Sequence, residues 1–363
     1  MKNIITVLSS ARLAMALLVI ILACCLSGVT LWRGAEAGRM VFATLWFNGL
    51  LVLLVINVAC CFFGRIWGRT VTVVSFGMIL FHLSFVTMFL GVVYNSLFYF
   101  RGSLRLTEGE TLVSGDRQSY DTCEQGKFFS FARLKGETTL IKMHVGYKVA
   151  GDDKRVAYEV AVGEQNNKKQ GLIYVTHKLS HQGFDYFNDK EGYSLLLVLA
   201  DHQGKELYGA HVPLQSIPVG STGRYRYVTG HRERDTVVAD FGPFPAPPEK
   251  PLVALQAAFE PSPLGERSGT VTFMAHPLDG AGNPVETTTL ARGQIAIGQP
   301  FSLGNSVVIP REMRYWVGMV VRYEPGKPIV LVSLWVGLAG MIITTIGRIV
   351  RKTNQDAAQL AGL

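Results

Sequence analysis

The chain is 363 residues long, 48% hydrophobic and 17% charged, with a formal net charge of +8. A surplus of that size can mark a nucleic-acid binder, but its placement excludes that class: residues 101–327 hold 26 Lys+Arg against 25 Asp+Glu, and nine basic residues elsewhere flank or join long apolar runs. The charge is membrane-topology charge, and the partner it implies is the lipid bilayer.

In chain order, residues 1–12 read as a short amphipathic cytoplasmic segment. Four runs follow, at 13–31, 42–63, 71–94 and 329–347, each close to the roughly 20 apolar residues that a spanning helix needs. Residues 101–327 form a long polar region between the third and fourth runs, large enough for a core of its own, and residues 348–363 form a basic tail. The fold class expected is therefore an α-helical membrane protein of four transmembrane helices carrying a large β-rich extracytoplasmic domain. Orientation rests on the positive-inside rule. Lys2, Arg12, Arg65, Arg69, Arg348, Arg351 and Lys352 fall on one side, against Arg33, Arg39, Arg101, Arg105, Arg322 and Lys327 near span ends on the other. The basic termini place the tails in the cytoplasm and the large domain outside.

Within the spans, Asn48 and Asn57 in the second, and Ser75, Gly77, Ser84 and Gly91 in the third, are polar or small residues that let helices approach and hydrogen-bond in lipid. Gly77, Ser84 and Gly91 recur every seventh position and make one thin stripe. At 100° per residue, His82 lies on another face, with Met78, Phe85 and Phe89. One face can then pack internally while the other meets a partner or cofactor.

The polar region alternates with period two at 138–149, 156–162, 172–176, 194–199 and 270–274, with Gly, Asn-Asn and Asp-Gly between, so strands dominate and a sandwich or partly closed barrel is expected. Residues 242–251 carry five prolines and read as a stiff connector or extended edge, a sub-boundary that would divide the domain into two lobes. A last strand pair is expected near 294–297 and 306–321, leading through Glu324-Pro325-Gly326-Lys327-Pro328 into the fourth span.

The five cysteines, Cys24, Cys25, Cys60, Cys61 and Cys123, include no Cys-x-x-Cys pair, so no dithiol centre is expected, and Cys123 should stay free. There is no Gly-x-Ser-x-Gly elbow, no phosphate-binding loop and no His-Glu-x-x-His, which leaves hydrolase, ATPase and metalloprotease readings without motifs. His177 and His181 have a metal-ligand spacing only if helical, and the run before them reads as strand. His144, His202, His211, His231 and His276 are scattered. His82 is the single histidine in any span, and an ionisable ring at that depth is a functional-site candidate by default. A neutral imidazole there suits three roles: axial ligand to haem iron, packing against a neighbouring helix, or a proton relay.

Three segments together resemble the ResB (CcsB) family of cytochrome c biogenesis proteins, the smaller membrane partner of the System II pathway. They are Leu8-Ser9-Ser10-Ala11-Arg12-Leu13 at the first span; Phe81-His82-Leu83 with the later Gly102-Ser103-Leu104-Arg105-Leu106-Thr107-Glu108-Gly109-Glu110-Thr111; and Tyr315 to Val321 with the Glu324 to Pro328 motif. Ser84 stands where the family usually has a glycine soon after the histidine. The resemblance implies a bacterial cytoplasmic (inner) membrane protein that works with a ResC (CcsA) type partner, carries haem b across the membrane and supports its covalent attachment to apocytochrome c. It implies His82 as the haem axial ligand, bound to the haem iron opposite a histidine of the partner. It further implies a co-catalytic subunit of a haem lyase complex with no catalytic residue of its own, and a thioredoxin-like thiol reductant as a further partner. Two other readings fit the same residues: a non-enzymatic membrane scaffold whose outer β-domain binds a partner protein, and a b-type haem electron-transfer subunit.

Overall fold

A computed structural model describes residues 7–31, 38–66, 71–219, 224–233, 236–262, 265–285 and 287–361. Most of the short N-terminal segment, with Lys2, and the inter-helix positions Arg33 and Arg69 lie outside the described residues. Four helices, α1 (Ala11–Leu31), α2 (Leu45–Ile66), α3 (Val73–Phe98) and α4 (Lys327–Ala361), are long and apolar enough to cross a membrane. A large β-rich region is inserted between α3 and α4.

Local chemistry sets the helix ends. Thr72 caps α3 through a reciprocal box, its hydroxyl accepting from the Ser75 N–H at 3.2 Å while the Ser75 hydroxyl accepts from the Thr72 N–H at 2.7 Å. Pro328 occupies the first turn of α4, where its missing N–H costs nothing. The helix α4 outlasts the apolar run expected to end at 347, because Arg348, Arg351, Lys352, Gln355 and the alanines beyond are good helix formers with no breaker among them. The second helix begins at Leu45, after a five-residue π-type turn at Gly38–Phe42, with the Thr44 hydroxyl accepting from the Phe47 N–H at 3.4 Å.

The seam between α3 and α4 is built from the small-residue stripe. Gly77, Ser84 and Gly91 are all buried, and they meet Thr344, Gly337 and Ile329 of α4. A Cβ on Gly77 would stand 2.5 Å from Thr344 Oγ1 and 2.7 Å from its backbone nitrogen; one on Gly340 would stand 2.7 Å from the Phe81 nitrogen. Backbones in lipid approach this closely only where side chains are absent, and dispersion then holds the pair. The other joints are polar. Asn57 Nδ2 donates to the carbonyls of Leu8 (2.6 Å) and Ser10 (3.1 Å), tying α2 to the start of α1. Asn48 Nδ2 donates to Ser96 Oγ (2.9 Å), whose hydroxyl donates to the Phe42 carbonyl (3.1 Å), tying α2 and the π-type turn to α3.

The β-rich region has sheets of seven, six, four and two strands among the described residues, and they are open rather than closed into a barrel. Its spine is the strand Ser306–Tyr323, which runs antiparallel to Phe100–Thr107 on one side and to Phe184–Asp201 on the other. The first and last strands of the region are thus paired beside each other, directly above the helices they continue into. The expected pairing of 294–297 with 306–321 does not form. Ala291–Ala296 pairs instead with Gly265–His276, and a tight turn at Gly304 (φ +60°) folds Phe301–Leu303 onto the start of the long strand. The proline-rich stretch supplies a short edge strand, Gly242–Phe244, on Val253–Ser262; one continuous buried core, including Phe244, Phe259, Phe273, Leu140 and Val317, extends to both sides of it.

Glu108 joins the sheets. Its carboxylate is buried; Oε1 accepts from the Met143 N–H at 2.9 Å and Oε2 from Arg267 Nη2 at 2.7 Å, while its carbonyl accepts from Arg314 Nη1 at 3.1 Å. Gly109 (φ +84°) makes the turn that turns the carboxylate inward.

Gly77→Val adds bulk where the Thr344 hydroxyl and, just behind it, the backbone of Thr344 and Gly340 stand opposite, so destabilisation of about 1–3 kcal/mol is expected. Thermal unfolding of the full chain in detergent measures it; Ala at Gly49 of α2, which has open space, should leave the midpoint unchanged.

Candidate functional site

His82 sits in the tenth position of α3, on the half of the helix farther from the β-rich region. With a rise of 1.5 Å per residue it stands about 14 Å along the helix from its capped start and about 24 Å from its far end. Its Nδ1 lies 2.8 Å from the Met78 carbonyl one turn back. A carbonyl can only accept, so Nδ1 carries the proton, and the in-plane lone pair is left on Nε2. No hydrogen bond to Nε2 is found among the described residues. One ring face stacks on Phe62 of α2, centroids 3.9 Å apart and planes 13° from parallel, and Phe81 meets the ring edge-on at 5.5 Å.

This is the arrangement an imidazole ligand needs. The backbone carbonyl fixes tautomer and ring direction, the usual second partner of a metal-bound histidine. Stacking occupies a face of the ring, whereas ligation uses its edge, so the two do not compete. The half-buried ring touches Phe62 and Phe81, and Phe81 in turn meets Phe85 edge-on at 4.9 Å, apolar groups able to lie against a porphyrin. Haem iron is a group that the donor this chain offers would fit: one imidazole nitrogen in an apolar setting. Sequence pattern located His82 and its Met78 and Phe85 face; the Phe62 stack was not legible, because it comes from another helix.

Several other histidines are held by contacts of a different kind. His177 stacks on Tyr174 (4.9 Å) and its Nδ1 lies 2.8 Å from the Leu172 carbonyl. His181 sits in the strand Leu179–His181, so the two rings do not share a helix face, and no metal-binding cluster of three or more His, Cys, Asp or Glu is found among the described residues. His144 Nε2 is 2.9 Å from Glu159, and His276 Nδ1 lies 2.9 Å from the Thr288 carbonyl. The cysteines are free thiols.

Two of the three motif segments have evident structural duties. Residues 102–111 form the strand that leads out of α3 together with the Glu108 turn, and Glu324 to Pro328 starts α4, where the Gly326 N–H donates to Asn95 Oδ1 of α3 at 3.2 Å. A side chain on Gly326 would collide with the Gly91 carbonyl, so only glycine permits that crossing.

Burial lowers the pKa of His181, with Lys169 adding to it, and burial lowers that of His211, with Arg314 adding to it against the opposing pull of Glu312 and Glu110. His181 Nε2 and His211 Nδ1 are buried without a partner. Each ring is thus easier to protonate in the unfolded chain, so stability is greatest above the ordinary histidine value of 6.5 and falls as pH drops through it. Between pH 7.5 and pH 5 the unfolding midpoint should fall, and replacing both residues by Gln should flatten that slope.

The comparisons with known proteins agree with this layout. The ResB-like family model matches residues 72–351, from the cap of α3 through the β-rich region to the end of the apolar part of α4. Leu8 to Leu13 and Phe62 lie outside that span, whereas His82, the Glu108 turn and the Glu324 to Pro328 crossing lie inside it. A search of curated proteins finds no match. With more than three quarters of its length covered, this chain is a membrane protein of the ResB-like family, a family associated with cytochrome c biogenesis.

Proposed function

We propose that this chain is the haem-handling subunit of a bacterial cytochrome c biogenesis complex. Together with a ResC (CcsA) type partner it moves haem b across the cytoplasmic membrane and supports its attachment to apocytochrome c. The observation that carries the reading is the free Nε2 of His82, oriented by the Met78 carbonyl and held by the Phe62 stack inside a lipid-spanning helix.

The β-rich region lies on the extracytoplasmic side in this reading, as the basic termini favour. His82 then stands in the half of the bilayer nearer the cytoplasm, where cargo would enter, and the partner supplies the second axial ligand. The glycine seam keeps α3 from rotating, so the imidazole edge stays directed away from α4. The work of the β-rich region is to meet the partner and the apocytochrome above the membrane. The haem itself supplies two vinyl groups: each substrate thiol adds across one of them, forming a carbon–sulfur bond while its proton goes to the neighbouring carbon, with no net oxidation. This chain contributes no acid, base or nucleophile to that step in this reading, and is a co-catalytic subunit. The thiols must arrive reduced, which assigns a thioredoxin-like reductant as a separate partner.

The test is haem absorbance of the chain co-purified with its partner. His82→Ala should lose at least about tenfold in bound haem, the loss expected from removing one of two axial ligands. His82→Gly supplied with free imidazole should recover the native spectrum. Equal haem and unchanged spectra in native and mutant complexes would remove the ligand role, and haem-free preparations of both would favour a protein-binding scaffold.

A further inference from the structure

At the junction of the helices and the β-rich region lies a cavity of about 370 Å³, with Phe42, Phe47 and Val92 on its membrane side and Arg101 and Arg322 on its domain side. The two arginines occupy directly opposed positions of the antiparallel pair Phe100–Thr107 and Ser306–Tyr323, so both side chains leave the same face of the sheet. Like charges in that position repel. Two acids continue the same row: Glu124 stands opposite Arg101, within no ion-pair contact of it, and Asp185 stands opposite Arg322 but is bonded to Lys178 and Ser180. Glu324 at the cavity rim is paired with Lys327. Arg322 rests on the Phe187 ring at 5.0 Å, and its Nε is buried with no hydrogen-bond partner. No ion pair holds either guanidinium among the described residues.

Two guanidiniums that no ion pair holds, set over an apolar floor where the helices meet the β-rich region, describe a receptor for an amphipathic anion. Each presents a fork that matches a phosphate or carboxylate, and a bound acid would turn the repulsion between them into attraction. We propose that this cleft binds the anionic head of a membrane-resident amphiphile, its acid group between Arg101 and Arg322 and its apolar part against Phe42 and Phe47. Glu124, the acid that also lines the cleft, opposes such a ligand and sets its affinity. Two sources share the chemistry: an acidic phospholipid headgroup, and the carboxylates of a porphyrin at the outer membrane surface.

The full chain in zwitterionic detergent is titrated with dihexanoyl phosphatidylglycerol against dihexanoyl phosphatidylcholine, and with metal-free protoporphyrin IX against its dimethyl ester. Binding is read from ligand-induced change in the unfolding midpoint. The acidic member of at least one pair should bind at least about tenfold more tightly than its neutral counterpart, the value of one charge-assisted contact. Preference within the lipid pair identifies a phospholipid, and preference within the porphyrin pair identifies the porphyrin acid. The double variant Arg101→Gln with Arg322→Gln should abolish the preference, the double Lys variant should keep it, and Glu124→Gln should strengthen it. Equal binding within both pairs, or a preference that survives the double Gln variant, overturns the proposal. A porphyrin without iron cannot use His82, so this result is independent of the ligand role assigned above.

Discussion

Everything in the membrane part depends on how closely α3 and α4 approach. Gly77, Ser84 and Gly91 leave no side chain between the backbones, and Gly337, Gly340 and Gly347 answer from the other helix. Lipid offers no hydrophobic drive for helices to associate, so the contact must be won by close dispersion, which falls away within an ångström. That constraint fixes the rotation of α3 about its own axis. Fixing the rotation is what gives His82 a direction, away from α4 and onto Phe62 of α2.

The same seam governs the β-rich region. Both of its tethers emerge from the seam, one strand leaving α3 at Phe100 and the other entering α4 after Tyr323, and they pair with each other over eight positions. The chain thereby closes a long excursion at the membrane surface, where the Asn95 to Gly326 bond locks the crossing. Above it, Glu108 ties three strands of different sheets through Met143, Arg267 and Arg314. A buried carboxylate without those donors would carry a full desolvation cost, so its partners and the sheet arrangement hold each other in place. Rigidity at the base also sets Arg101 beside Arg322, a like-charge pair that the sheet register enforces.

Much of this was legible in the residues. The four spans follow from uninterrupted apolar length, and the long strands from alternation at 138–149, 156–162 and 194–199, because burial of one face of a strand writes itself into every second residue. The seven-residue recurrence of Gly77, Ser84 and Gly91 marked an internal seam. Strand partners were not legible. The segment near 294–297 pairs with Gly265–His276 and not with the long strand, since alternation records that a face is buried and not what covers it. Glu108 was quoted within a motif but its clamp was invisible, as its donors come from positions far apart in the chain.

By itself, the sequence determined that four helices cross lipid, that a β-rich region is tethered at both ends, and that one imidazole is placed among apolar residues, all consequences of local hydropathy and period. Only the tertiary structure decided which nitrogen of His82 is free, which ring supports it, and which arginines lie side by side. Those depend on contacts between segments far apart in the chain, for which no local pattern is selected.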